Sequence, residues 1–184
     1  ILNIKASWLI HRDGCIQVKL DVKKDMEFPF LPRFGLRLFL DQSLDRVRYC
    51  GMGPDESYPD KHQASWHGIF EGDVRTMHRP YLKPQEYGSH WDCSWCEISG
   101  EEMSFQASSK EGFMFQACEY TQEELSEKAH DFELKEAGCT VLCLDHNQSG
   151  IGSGSCGPQL LEKYQFNEPE FSRTWVITPG KRKE

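Results

Sequence analysis

The sequence predicts an all-β protein, a large antiparallel β-sandwich in which residues 1–184 form a single domain. Three observations favour this fold class. Apolar and polar residues alternate along several short segments, as they do in a strand with one buried face. Glycine, proline and other turn-forming residues separate these segments at short intervals. Only one segment, near residues 122–130, carries the signals of a helix.

Four strands are predicted in the N-terminal half of the chain. Segments 1–10 and 16–22 are rich in apolar residues and are expected to be strands on either side of the turn Arg12-Asp13-Gly14. In the second segment apolar and polar residues alternate with a period of two, which is typical of a half-buried strand. Prolines and glycines between 51 and 68 predict a long loop. Two short strands are expected at 36–40 and 47–50.

The C-terminal half contains the helix signal and five more predicted strands. Thr121 and Glu124 have the spacing of a capping box, in which the threonine hydroxyl accepts a hydrogen bond from the Glu124 amide. The helix is expected over about 122–130, because acidic residues begin it and basic residues end it, as the helix dipole favours. Strands are expected at 93–98, 103–107, 113–117, 139–144 and 172–178, and a glycine- and serine-rich loop at 147–158.

Composition and charge exclude several classes of protein. The chain has 184 residues with 21 Lys and Arg against 29 Asp and Glu, a formal charge of −8. This charge argues against nucleic acid or a membrane as a partner, because both favour a basic face. No apolar run reaches the length of a transmembrane helix, about 20 residues. A complete (β/α)₈ barrel needs roughly 250 residues and does not fit.

The eight cysteines are expected to be reduced thiols in a cytoplasmic protein, with structural disulfides as the alternative. No secretion signal precedes Ile1, and most of the cysteines lie in apolar segments where a thiol packs as a small apolar group. Cys93 and Cys96 are three residues apart, so in a regular strand they would point to opposite faces. Cys139 and Cys143 would lie about 13 Å apart along a strand. Neither pair is therefore expected to hold zinc.

Other polar residues suggest chemistry less specifically. His62, His67 and His78 lie close in sequence but match no metal-ligand spacing. Glu56 and Glu86 are the carboxylates most constrained by their neighbours, and we expect them to accept hydrogen bonds from loop amides rather than to catalyse hydrolysis. Segment 150–155 is glycine-rich but lacks the lysine of a phosphate loop. No cofactor and no bound metal are expected in this chain.

Four motifs, taken together, carry a family resemblance. L-P-R-F-G-L at 31–36 is followed by G-M-G-P-D-E-S-Y-P-D at 51–60, by P-Q-E-Y-G at 84–88 and by G-I-G-S-G-S-C-G-P at 150–158. In this order they resemble the C-terminal domain of the β-galactosidases of glycoside hydrolase family 2, also called the β-galactosidase small chain. The resemblance covers about residues 25–178.

The resemblance implies a fold and a role. The implied fold is the supersandwich of the galactose mutarotases, from which an N-terminal portion is expected to be absent. The implied role is that of a non-catalytic domain or small subunit that joins a catalytic (β/α)₈ barrel or large subunit. The whole would be a cytoplasmic, oligomeric β-galactosidase that hydrolyses terminal β-D-galactosides such as lactose and uses Mg and Na or K ions.

The resemblance also implies a place for the glycine-rich loop, at the rim of the galactose pocket. Some relatives carry tryptophan where this chain has cysteine, and a thiol offers a sugar less apolar contact than a stacked ring. The expected rim residues are Gly150, Ile151, Gly152, Ser153, Gly154, Ser155 and Cys156.

Two other functions stay open. A self-standing carbohydrate-binding module would need exposed aromatic side chains on one face, which Trp66, Trp91 and Trp95 could supply. A mutarotase-like epimerase is suggested by the shared fold alone.

Overall fold

The computed structural model describes residues 1–151 and 159–181, and these residues form nine β-strands and two short α-helices. Each strand pairs antiparallel with its neighbours. Two 3₁₀ turns lie at Asp131–Glu133 and Glu162–Tyr164. The elements are β1 (Leu2–Ile10), β2 (Ile16–Lys24), β3 (Arg33–Asp41), β4 (Arg46–Gly53), β5 (Trp66–Asp73), α1 (Val74–Met77), β6 (Ser89–Ser99), β7 (Met103–Cys118), α2 (Gln122–Glu127), β8 (Cys139–Gln148) and β9 (Glu170–Lys181).

Strand β7 organises the sheet because it pairs with three other strands. Residues 103–108 pair with β9 and residues 114–118 pair with β8, while β6 pairs with both halves along the other edge. The main path of the sheet is β1-β2-β9-β7-β6-β4-β5, and β3 joins it through β8. The sheet therefore divides along β7 into two layers, which is the arrangement of a β-sandwich.

The core lies between the layer that contains β2 and β9 and the layer that contains β3 and β8. Val18 and Trp175 from the first layer and Leu144 from the second are completely buried. The rings of Phe34 on β3 and Phe171 on β9 meet edge to face, with centroids 5.1 Å apart. Burial of each such side chain contributes about 1.5–3 kcal/mol to stability, which is what holds the two layers together.

The other side of β7 and β8 is covered by irregular chain and by helix α2. Leu125 of α2 is buried against Tyr87 and Cys118, and Tyr81 and Leu134 pack around this second cluster. The side chain of Gln122 donates to the Cys143 sulfur on β8 at 3.3 Å. These contacts place α2 next to the end of β8, where the candidate site lies.

The predicted all-β antiparallel sandwich is confirmed, but two predicted elements are wrong in extent. The strands expected at 103–107 and 113–117 are one strand, because β6 pairs with both parts of it while the partner on the other edge changes. The helix expected over 122–130 starts as predicted, with the Thr121 hydroxyl accepting from the Glu124 amide at 3.2 Å. It ends at Glu127, since Leu125 is its only buried residue and the next apolar residue, Ala129, is exposed.

Helix α1 is not among the predicted elements. This helix is a single turn that begins after Asp73, whose backbone amide donates to the Thr76 hydroxyl at 3.0 Å. One buried side chain, that of Val74, attaches it to the core.

The cysteines of the described residues are free thiols, as predicted, but the expected geometry of Cys93 and Cys96 is wrong. Both are completely buried in the same core cluster. The register of β6 against β7 shifts between Cys93 and Trp95, where a step of two residues along β6 corresponds to five along β7, and this break in the pairing changes which residues of β6 face inward. The partly exposed thiols are Cys15, Cys50 and Cys139, and the buried ones are Cys93, Cys96, Cys118 and Cys143.

Thiol labelling of the native chain should separate these two groups. Burial raises the pKa of Cys118 to about 11 and that of Cys143 to about 12, and it also raises the pKa values of Cys93 and Cys96. We expect an aromatic disulfide reagent at neutral pH to modify the three partly exposed thiols first and the four buried ones only on unfolding, since the thiolate is the reactive form. Fast labelling of Cys93, or a disulfide in a non-reduced peptide map, would contradict this.

Candidate functional site

The four sequence motifs meet at the C-terminal end of β8, although they are far apart in the sequence. Arg33 is the first residue of β3, Glu86 lies in the chain before β6, and Gln148 is the last residue of β8. Pairing of β3 with β8 places Arg33 opposite Gln148. The L-P-R and P-Q-E motifs therefore lie directly beside the start of the glycine-rich loop.

Arg33 bridges two carboxylates from different parts of the chain. Its Nη1 donates to Glu86 Oε2 at 2.6 Å, and its Nη2 donates to Asp145 Oδ2 at 2.5 Å. Such close contact between β3 and β8 requires glycine at position 35, because a Cβ there would overlap the Leu144 carbonyl oxygen. A β-bulge at Phe34 and Gly35 accompanies this approach.

Hydrogen bonds close these residues into a ring. Ser89 Oγ donates to Glu86 Oε1 at 3.0 Å, and Gln148 Nε2 donates both to Ser89 Oγ at 3.2 Å and to Asp145 Oδ2 at 3.0 Å. The ring ties β3, β6 and β8 to the chain before β6. We call Arg33, Glu86, Ser89, Asp145 and Gln148 the Arg33 ring.

The Arg33 ring is charged and partly buried. Burial opposes the charge of Arg33, but the carboxylates of Asp145 and Glu86 outweigh it and raise the pKa of the guanidinium. Burial raises the pKa of Glu86 above its ordinary value, against the opposing effect of Arg33. The ring thus depends on the guanidinium to keep two carboxylates together in a poorly hydrated place.

Glu56 forms the centre of a second cluster, which links the motif at 51–60 to that at 84–88. Its Oε1 accepts from Lys61 Nζ at 2.5 Å and from the Tyr81 hydroxyl, and its Oε2 accepts from the Gly88 amide at 2.8 Å. Burial alone would raise the pKa of Glu56, but these hydrogen bonds lower it below the ordinary value. The expected bond to a loop amide is confirmed for Glu56, whereas Glu86 binds Arg33 and Ser89 instead.

The start of the glycine-rich loop is firmly attached to these motifs. Ser149 Oγ donates to the Leu31 carbonyl oxygen at 2.6 Å, and the Ser149 amide donates to the Pro32 carbonyl oxygen at 2.9 Å. A Cβ at Gly150 would overlap the carboxylate of Asp60, so the motif at 51–60 touches the loop directly. The loop thus begins from a rigid base.

Two of the predicted rim residues, Gly150 and Ile151, lie at this base. The other five fall outside the described residues: Gly152, Ser153, Gly154, Ser155 and Cys156.

A groove of about 820 Å³ opens beside the base of the loop. Arg33 and Glu86 lie on one wall, α2 forms another, and residues 159, 160 and 165 complete it. No local sequence pattern predicts this groove, because its walls come from five separate parts of the chain.

The other candidate residues are not brought together. His62 stacks on Trp91 with ring centroids 4.5 Å apart, whereas His78 Nε2 lies 2.8 Å from Asp131 Oδ1 on another part of the surface. Across residues 1–151 and 159–181, no three His, Cys, Asp or Glu side chains are arranged to hold a metal ion.

The tryptophans considered as a sugar platform do not share a face. Trp66 pairs with Gly53 and Trp95 with Cys50, positions of β4 that are three residues apart. In a strand such positions point to opposite faces of the sheet. These residues therefore do not supply the single aromatic face that a self-standing binding module would need.

Comparisons with known proteins agree with the motifs. A profile of the β-galactosidase small chain family matches residues 2–177. A β-galactosidase of Actinobacillus pleuropneumoniae is 43% identical over 171 residues, or 93% of this chain, and one of Staphylococcus xylosus is 38% identical over 169 residues, or 91%. The chain spans only 17% of the length of each of these relatives. The described helices are too short and too polar to span a bilayer.

Replacing Arg33 with methionine should destabilise the chain strongly. Asp145 and Glu86 would face each other without a cation, and loss of one partner from a buried ion pair costs about 3 kcal/mol or more. Urea unfolding of Arg33→Met should show this loss, while Arg12→Met, at an exposed arginine in a turn, should change the free energy of unfolding by less than about 0.5 kcal/mol. Equal stabilities of the two variants would contradict the role given to Arg33.

Replacing Glu56 with glutamine should change how stability depends on pH. The pKa of Glu56 is lowered in the folded chain, so the ionised group stabilises the fold above its ordinary pKa of 4.5, and this stabilisation is lost as pH falls through the lowered value. Glu56→Gln should therefore be less stable than the parent at about pH 7, with a difference that shrinks between about pH 5 and pH 3. Exposed Glu101→Gln is the control, and a difference for Glu56→Gln that stays constant with pH would refute the assignment.

Proposed function

The chain belongs to the β-galactosidase small chain family, and we propose that it works as a non-catalytic domain or small subunit of a larger β-galactosidase. Its small share of the relatives' length supports this proposal. The complete enzyme would hydrolyse terminal β-D-galactosides such as lactose in the cytoplasm, as an oligomer.

The arrangement of the carboxylates supports a catalytic centre outside this chain. Retaining and inverting hydrolysis both need two carboxyl groups that face each other across an open sugar site, at about 5–9.5 Å. Glu56 is bound by Lys61, Tyr81 and Gly88, and Glu86 by Arg33 and Ser89. Both carboxylates are engaged in holding the structure together. We propose that the catalytic pair lies on a (β/α)₈ barrel domain or large subunit.

The attachment of the glycine-rich loop is the observation that carries the proposed role of this domain. The motifs at 31–36 and 51–60 contact Ser149 and Gly150, and a rigid base is what a loop needs if it is to present groups to a ligand in one position. We propose that residues 150–156 form part of the rim of the galactose pocket. Backbone amides and serine hydroxyls there would hydrogen-bond the sugar.

Metal ions of the complete enzyme would be held by the catalytic part. The described residues of this chain do not fit such a site, since their acidic side chains pair with cations and hydrogen-bond donors in the clusters around Arg33 and Glu56.

The chain by itself should not cleave a chromogenic β-galactoside. The carboxylates of Glu56, Glu86 and Asp145 are paired with cations of the chain rather than placed across an open sugar site, whereas the complete enzyme that contains the chain should turn the substrate over. Release of nitrophenol by the purified chain, abolished by a single glutamate substitution, would overturn the proposal. Faster interconversion of galactose anomers with the chain, followed by NMR, would favour the epimerase alternative.

Replacing Cys156 with tryptophan in the complete enzyme should lower KM about two- to tenfold and leave kcat nearly unchanged. An aromatic ring at the rim would add apolar contact to bound sugar without taking part in bond breaking. Leu82→Trp adds a tryptophan at a position that is 84% exposed and outside the loop segment, and it should leave KM unchanged. If Cys156→Trp also leaves lactose kinetics unchanged in an intact assembly, the loop does not contact substrate.

A further inference from the structure

The groove beside the loop base has a size and shape suited to a small ligand, and the proposed role of the loop does not use it. Its volume of about 820 Å³ falls within the usual range of ligand pockets, roughly 300–1,000 Å³. It adjoins Ile151 and Gln159, the described residues on either side of the loop.

The polar groups of the groove suit hydroxyl groups. Gln85 and Gln159 are exposed there, and their amides make no hydrogen bond to any other described residue. Gln165 donates through Nε2 to the Leu160 carbonyl oxygen at 3.3 Å, which leaves its own oxygen free to accept. An amide both donates and accepts, as a sugar hydroxyl does, so the two form paired hydrogen bonds.

The same groove offers apolar contact. Phe30 is 37% exposed and Ile151 is 38% exposed, and both side chains line it together with Leu160. Pro29 and Pro32 flank Phe30 closely and restrict the backbone on both sides of it. An exposed aromatic ring beside free amides is a combination that fits the mixed apolar and hydroxylated faces of a sugar.

The charged residues that line the groove restrict the class of ligand that it can bind. Among the described residues that line the groove, Arg33 and Glu86 are the only charged ones, and they pair with each other. The guanidinium is also bound by Asp145, so no excess positive charge is available for a phosphate or carboxylate ligand. The groove therefore suits a neutral, polyhydroxylated molecule.

We propose that this groove is a saccharide subsite, which binds the sugar units beyond the galactosyl unit in galactosides longer than a disaccharide. This inference rests on the proposed function in one respect: the groove continues from the galactose pocket if the loop lies at the rim of that pocket. Phe30 would stack on one of these sugar units, and Gln85 and Gln159 would bind its hydroxyl groups.

Titration of the full 184-residue chain tests the groove without any catalytic activity. A linear β-1,4-linked galactotetraose should bind with a dissociation constant of the order of millimolar, followed by NMR shifts or calorimetry, and lactose should bind more weakly. Phe30→Ala and Gln85→Ala should each weaken tetraose binding at least fivefold. Phe132→Ala, at a phenylalanine that is 84% exposed outside the groove, and Gln42→Ala should not. Circular dichroism confirms that each variant is folded.

A second part of the experiment measures the kinetics of the complete enzyme. Phe30→Ala should lower kcat/KM for the tetraose at least fivefold and leave kcat/KM for nitrophenyl β-galactoside unchanged. A folded chain that does not bind the tetraose, or binds it equally well in both groove variants, would overturn the subsite while normal hydrolysis of the short substrate upholds the proposed function. Binding at the groove in a complete enzyme that cleaves no galactoside would support the saccharide site and overturn the proposed function.

Discussion

The guanidinium of Arg33 lies between Glu86 and Asp145, and the geometry around the end of β8 depends on that placement. Two carboxylates close enough to share one guanidinium repel each other, and burial strengthens the repulsion. A bidentate cation in a fixed orientation removes it, and it also fixes the relative position of β3, β8 and the chain before β6. Ser89 and Gln148 satisfy the remaining oxygens, so the ring has one arrangement in which every member is bonded.

The sheet makes this ring possible. Because β7 changes partner from β9 to β8 along its length, β8 and β3 leave the first layer and form the second. Glycine at position 35 lets β3 approach β8 closely enough for Arg33 to reach Asp145. Helix α2 and the chain around Tyr87 then cover the outer side of this layer. The fold thus gathers the four motifs at one end of the molecule, beside a groove.

The functional proposals follow from the ion pairs near the end of β8, which engage the charged side chains there. Glu56 and Glu86 are both neutralised by cations of the chain, so the site is suited to positioning rather than to proton transfer. The groups that remain available to a ligand in the groove are neutral: the amides of Gln85 and Gln159 and the ring of Phe30. A domain of this kind can extend a sugar pocket and select among saccharides while the chemistry takes place on another part of the enzyme.

Local patterns were sufficient to predict much of the fold. The alternation at 16–22 and 36–40 predicts β2 and β3, and the Thr121 cap predicts the start of α2, because these signals depend on neighbours in sequence. The order of the motifs predicted the family. Tertiary structure alone decided that a register shift between β6 and β7 turns Cys93 toward the same core as Cys96, that β7 is one strand, and that Arg33 joins Asp145 to Glu86. These features depend on residues far apart in the chain, whose contacts arise only when the strands pair, and no local pattern encodes them.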